Sequence, residues 1–560
     1  MKYRFKRTVC LVVCCLVASV PLIADEPHPD TTKGAQLFEG LGDYHREFTT
    51  TSDEAQRYLD QGMVWLQAFN YDEAERSFRE AARLDPECAM AWWGVAYAAA
   101  PSYNHAQLDE RRAGIFFEAL QNAQARIENA SPVERALIEA LGKRGEMPYP
   151  MEDDSHLDQA YADAMAEVWE RFPEDADVGV LYAEALMVRT PWALYNIDRE
   201  PAEDTPMIEA LLERVLELNP NQAGAAHLYI HAVELSKSPE RGLVVADRLS
   251  TLVPLSGHLL HMPSHIYTRT GDWDRAIEQN ALAMEADVKY RAKSPDQFVQ
   301  HMYMVHNNHI RAYGAMMVGR EAEALEASRR MWSQIPEDLL EDVAPQVDAW
   351  MCSVYDVYKR FGRWDKMLAE PAPPEYMPFT LATWHAHRAI SYAAKKDIEG
   401  AQREFRAYRR VRDDTLPRNL PEDYSLKAAK GRLRVIDHFV PGEIALQKGK
   451  YKKAIRHLEK AKIAEDKLGY SGEPPDYLQP IRHTLGAVYL LAGRLEEAEE
   501  AYREDLAEFP ENGWSLYGLS RVLHAQGRTA EAAQVEEEFR LAWADADGPI
   551  ETSCECIPAL

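Results

Sequence analysis

The histidines of this 560-residue chain are unevenly placed: eight of the eighteen lie between residues 227 and 309, about three times the even density. They recur at spacings of three and four. His227, His231 and Glu234 form one series, His258, His261 and His265 a second, and His306 with His309 a third. Residues so spaced share one face of a helix. Neutral imidazole is the commonest protein ligand for zinc, copper and iron, and such ions need several donors together. A transition metal is therefore the expected cofactor, and the residues do not distinguish copper, zinc and iron.

Reach limits how these donors combine. His227 and Glu234 stand about 10.5 Å apart along a helix rising 1.5 Å per residue, so one ion cannot take both and neighbouring helices must complete each shell. Seven imidazoles leave room for two ions, or for one ion beside proton-transfer and substrate groups. The zinc-protease motif needs Glu directly after its first His, and Leu228 stands there. The reach argument also counts against one helix supplying a two-histidine, one-carboxylate iron site. No Cys-x-x-Cys-His run exists to attach haem. Met262, Met302 and Met304 would favour copper, although Met and Tyr at such spacings (Tyr229, Tyr267, Tyr303) more often build core. Pro263 is expected to break the helix through 258–265 and leave His258 on the preceding loop.

The elements that position these residues show in an internal repeat. From Ala55 the chain reads AQRYLDQGMVWLQAFNYDEAERSFREAARLDP. Gly62, Ala74 and Ala81 at places eight, twenty and twenty-seven let two antiparallel helices approach, with Phe78 among them. A glycine turn near place fifteen reverses the chain, and Pro86 stops the second helix. The pattern returns with Gly486, Tyr489, Gly493, Ala498, Tyr502 and Pro510, and continues through Trp514, Gly527 and Ala532. It resembles the tetratricopeptide repeat (TPR) of 34 residues. Turns and small residues set units starting near 55, 89, 176, 223, 257, 305, 348, 382, 435, 479 and 513, with inserted segments such as PWALYNIDREPAEDTP and LAEPAPPEYMP. The fold expected is all-α, a right-handed TPR-type α-solenoid of antiparallel helix pairs.

In that register His227, His231, His258, His261, His265, His306 and His309 fall on places two, five and nine of three successive first helices, and Glu234 falls on place twelve. The resemblance implies that this stripe lines a concave groove; only His301 lies off it. Glu184 holds place nine of the unit at 176 and would extend the stripe as a further ligand or acid/base group. His483, Trp514, Tyr517 and His524 take groove places in the last two units and suit a protein or peptide partner. Ser102-Tyr103-Asn104-His105 follows Pro101 and could cover the groove mouth. His385 and His387, two apart on a helix, point away from each other. Cys554-Glu-Cys556 could bind metal or pair locally, but such a pair more often belongs to a disordered end.

Residues 1–24 are expected to be a secretory signal: Lys2, Arg4, Lys6 and Arg7 precede an apolar run from Val9 to Ile23 that is short for a membrane span. Cleavage after Ala24 removes four positive charges and no negative ones, taking the net charge from −28 to −32. No other stretch reaches spanning length, so the mature chain is read as exported, periplasmic or secreted, and of a bacterial kind. Its acidity opposes nucleic acid as a partner. Hydrophobic residues at 46% and charged residues at 28% suit a packed soluble protein. No Walker loop, dinucleotide fingerprint or nucleophile elbow appears. The domain reading is a lead-in over 25–54, N-terminal units with inserted helices over 55–175, His-rich units over 176–345, irregular helices over 346–434, C-terminal units over 435–545 and a tail over 546–560. The function expected is metal binding in the groove, as a metal-dependent enzyme or carrier. The competing reading is a non-catalytic TPR scaffold for protein or peptide.

Overall fold

Phe78 shows how the repeats close. It is fully buried on helix Tyr71–Leu84 and lies between Gly62 of helix Asp53–Gln67 and Gly94 of helix Ala89–Ala99. A Cβ at Gly62 would stand 2.6 Å from the ring, and one at Gly94 would also collide with it. Two missing side chains thus let one aromatic ring join three successive helices. Local signals place the ends: Ser52 accepts from the Ala55 amide and Asn70 from the Glu73 amide, satisfying donors that a helix start leaves open. Tyr502 repeats the arrangement between Gly486 and Gly518.

This all-α solenoid is seen in a computed structural model that describes residues 34–104, 108–147, 149, 151, 154–295, 298–414, 424–468, 475 and 477–557. The expected signal peptide and His105 lie outside them. Helices open at Asp53, Ala89, Ala176, Ala223, Gly257, Ile481 and Gly513, each within two residues of a repeat start read from the turns. Elsewhere the register is looser: a helix begins at Phe298, and Leu340–Val347 with Pro345 inside it precedes Ser353–Arg360. Among the described residues the β-structure is one isolated bridge, Tyr195 with Pro201, in an inserted loop. No described helix is long and apolar enough to cross a membrane.

Distant repeats also touch. Arg269 Nη1 lies 2.8 Å from Glu508 Oε1, and Arg199 pairs with the same carboxylate. Trp273 Nε1 donates to Pro510 O at 2.9 Å and Trp514 Nε1 to Met316 O at 2.8 Å. Gly271 turns the chain with φ 85°, and a Cβ there would stand 2.9 Å from Pro510 O. The C-terminal repeats are therefore clasped against the central ones.

The tail departs from expectation. Cys554 and Cys556 form a disulfide and are 2% and 5% exposed. Ser553 Oγ bonds Tyr502 OH at 2.6 Å and His483 O at 2.9 Å, so the polar end is held by satisfied hydrogen bonds rather than left in solvent.

Glu465 on helix Tyr451–Asp466 caps the next repeat: both its oxygens accept from the Ile481 amide, at 3.0 and 3.2 Å. Residue 480 is proline and supplies no cap of its own. Burial pushes the Glu465 carboxyl up to about 8. The folded state then holds a proton that the unfolded chain, with a carboxyl near ~4.3, releases. Between those values the native state binds more protons, so this group's contribution to stability falls as pH rises. Glu465→Gln keeps an acceptor and removes the titration. Its stability relative to wild type is expected to grow from pH 5 to pH 8 by a few kcal/mol, on the order of 1.4 per pH unit. Urea midpoints measured across that range check it, and parallel curves would refute it.

Candidate metal centre

Three helical segments and their neighbours supply the histidines. Ala223–Val233 carries His227 and His231, and Glu234 is its C-terminal cap residue. Gly257–His261 carries His258 and His261, and Pro263–Thr270 carries His265. Phe298–Met317 carries His306 and His309. Pro263 does not expel His258 into a loop. It takes the first place of a new helix, where no amide is needed, and Met262 keeps helical angles of −49° and −40° between the two segments. Ser256 caps the first segment by accepting from the Leu259 amide. Gly257 lets that segment press on buried Asp287, whose carboxylate accepts from Asn307 Nδ2 at 2.7 Å.

The donors gather into two triads. His227, His231 and His258 each offer a ring nitrogen within 4.8 Å of the others, and so do His261, His265 and His306. A third group, His231, Glu234 and His265, links the two. Five of the six imidazoles are at most 5% exposed and His306 is half-buried. Burial, followed by the neighbouring imidazoles, holds His258 well below the usual histidine range, so it is neutral, the form that binds metal.

The rings are fixed from behind. His227 Nδ1 lies 2.7 Å from Gln67 O, His231 Nδ1 2.9 Å from Glu234 Oε1, and His265 Nδ1 2.7 Å from Glu234 Oε2. His261 Nδ1 lies 2.8 Å from Asn280 Oδ1, and that amide's orientation is set by Nδ2 donating to Ala276 O at 2.8 Å. Each of these Nδ1 atoms faces an acceptor and therefore carries the hydrogen. Each Nε2 is left with a lone pair. Yet His261 and His265 bring their Nε2 atoms to 2.7 Å; His227 and His258 bring theirs to 3.1 Å, where His258, whose Nδ1 has no acceptor among the described residues, can carry its hydrogen on Nε2 and donate. Two lone pairs facing at 2.7 Å repel unless a positive charge lies between or beside them. A carboxylate or carbonyl orienting the rear nitrogen is also the usual support of a metal-bound imidazole.

Aromatic rings enclose the cluster. Phe69 stands 4.2 Å from His227, Tyr303 4.4 Å from His258, Trp192 5.4 Å from His231 and Trp350 5.8 Å from His306, measured between ring centres. Trp192, on the inserted loop with φ 57°, stacks on Tyr103. Asn104 Nδ2 donates to Tyr303 OH at 2.9 Å, so Tyr103 and Asn104 lie against the cluster. Such a shell limits water and strengthens charge interactions inside it.

Comparison with known proteins bears on the scaffold. The tetratricopeptide repeat family matches residues 482–536. The chain carries tetratricopeptide repeats. Among solved structures, a human IFIT1 dimer with m7Gppp-AAAA aligns at 16% identity over 89% of this chain and 92% of that one, TM-score 0.32. The APC/C hetero-tetramer Cut9–Hcn1 aligns at 13% over 88% and 74%, TM-score 0.26. Scores of that size carry no argument about what this TPR chain binds. No curated protein matches it.

The TPR register also locates the remaining candidates. His309, one turn past His306, joins no metal-competent group among the described residues. It is buried, and burial and then Arg432 hold it well below the usual range; a guanidinium there repels a second cation. Glu184 also stands apart, 7% exposed and accepting from Tyr97 OH at 2.6 Å, with burial raising its carboxyl. His385 pairs with Glu404 and His387 with Asp356, pointing apart as expected. His483 and Trp514 are fully buried: His483 lies 2.7 Å from Asp505 and 2.8 Å from Arg360, whose guanidinium covers the Trp514 ring at 4.0 Å. These two build the core instead of facing a groove. Tyr517 is half-buried against Phe539, and His524 pairs with Glu536 at the surface.

Sequence reasoning missed Asn280 and Gln67. Asn280 left a trace: it holds place twenty-four of its TPR unit, where the terminal units have Phe78 and Tyr502. An amide in a slot that elsewhere holds an aromatic ring faces something polar. Gln67 acts through its backbone carbonyl, which leaves no mark in the residue types.

Proposed function

We propose that this TPR protein is an exported metal-binding scaffold holding two transition-metal ions in its central repeats. His227, His231 and His258 take one ion, and His261, His265 and His306 the other. The observation that carries this reading is the facing pair of His261 and His265 Nε2 atoms, whose rear nitrogens are committed to Asn280 and Glu234. An imidazole-only donor set suits copper, zinc or iron over calcium or magnesium. Three protein ligands per ion leave a position for water or another small ligand, the arrangement by which such ions activate water. TPR arrays act as binding scaffolds, and the centre would give this one either a metal-dependent activity or a metal-carrying role.

Elemental analysis of the full chain tests it. The protein is purified without a polyhistidine tag from medium containing copper, zinc and iron, beside His231→Ala/His261→Ala, which removes one ligand from each triad. The expected result is about two ions per wild-type chain and loss of most of them in the variant, with the far-UV spectrum retained. A metal-free wild-type chain that takes up none of the three on titration overturns it. The TPR scaffold alone would then remain.

A further inference from the structure

The C-terminal disulfide faces a buried acid. Cys556 Sγ lies 3.1 Å from Glu443 Oε1, on helix Tyr424–Gln447. Glu443 is 1% exposed, and its Oε2 has no hydrogen-bond partner among the described residues. A thiol can donate to a carboxylate at that distance, whereas a disulfide sulfur has no proton to give. One oxygen of Glu443 and the sulfurs of Cys554 and Cys556 all lie within 4.8 Å of one another. The tail is not loose around them: Thr552, Ser553 and Ile557 are buried, and Gln447 Nε2 donates to Cys556 O.

We infer that Cys554, Cys556 and Glu443 form a redox-gated site for a thiophilic divalent cation, open only when the disulfide is reduced. A dithiol reductant supplies the electrons. Its thiolate attacks one sulfur and breaks the S–S bond, and its second thiol closes the reductant's own disulfide. Two thiols remain on the protein with the two electrons and two protons gained. A divalent cation then displaces both thiol protons and binds two thiolates and the Glu443 carboxylate, donors that zinc and its heavier congener accept. The site is separate from the histidine triads and does not depend on their holding metal.

Cadmium is the probe, because its thiolate complexes absorb in the ultraviolet and its imidazole complexes do not share that band. The full chain is compared oxidised and after reduction with dithiothreitol and anaerobic desalting. The reduced chain is expected to take one further cadmium ion with the thiolate band, and the oxidised chain to show none. Cys554→Ser/Cys556→Ser abolishes the band, and Glu443→Gln weakens binding by at least the ~10-fold that loss of even an outer-shell partner costs. Absence of the band in the reduced wild type overturns the inference. So does its persistence in the double variant, which would assign it to one of the other five cysteines. Collapse of the near-UV spectrum on reduction also overturns it, since the ligands would then belong to an unfolded chain. The wild-type comparison requires no variant to fold.

Discussion

Glu234→Gln is expected to weaken both metal triads together, by about 10- to 100-fold each. One carboxylate holds two rings, His231 through Oε1 and His265 through Oε2, and these belong to different triads. Glutamine offers a single oxygen. Its amide nitrogen would face an imidazole N–H, donor against donor, and that ring would have to turn or move its proton to Nε2, where metal should bind. The buried negative charge that makes both imidazoles better donors is also lost. Asn280→Ala supplies the contrast, because Asn280 supports His261 alone and should affect one triad only. Competition of each variant with a chelator of known affinity, for zinc and then copper, reads both effects. Wild-type affinity at both sites in Glu234→Gln would refute the arrangement.

Phe78→Ala is expected to cost about 3–5 kcal/mol, the usual range for deleting a buried aromatic ring. Its ring fills the space that Gly62 and Gly94 leave, and backbone on both sides prevents that space from closing. Gly94→Val tests the same contact from the other side: its added methyl groups would enter a ring already confined by Gly62. Against total stabilities of about 5–15 kcal/mol, either change removes a large share. Urea unfolding followed by helical signal, at matched slope, measures it. A loss under about 1 kcal/mol for Phe78→Ala would mean the three helices do not depend on the ring.

The repeats were legible because their signals are local. Glycine at a crossing, proline after a helix and a small residue every turn or two are read within 34 residues, and each has one physical cause. The histidine triads were legible for the same reason, since spacings of three and four place side chains on one face before any neighbour is known. What was hidden came from elsewhere in the chain. Gln67 reaches His227 across 160 residues through a backbone atom. Arg432, which sets His309 apart, sits on a helix more than one hundred residues further on. Pro263 was misjudged because the rule that proline breaks helices omits the first turn, where it fits. His483 and Trp514 were misplaced because a groove place in a regular array becomes core once another part of the chain folds over it.

That folding over has a mechanical meaning. In an open array each unit answers only to its neighbours, and a pull at one end peels the units off in turn. Here Arg269 sits four residues after His265 and grips Glu508 at the far end of the chain. The helix that presents His265, a candidate ligand, is also a link in a closed loop of roughly 240 residues. Tension applied to the last repeats reaches His265 through the Arg269–Glu508 ion pair and the adjacent Trp273–Pro510 hydrogen bond before the intervening helices have yielded.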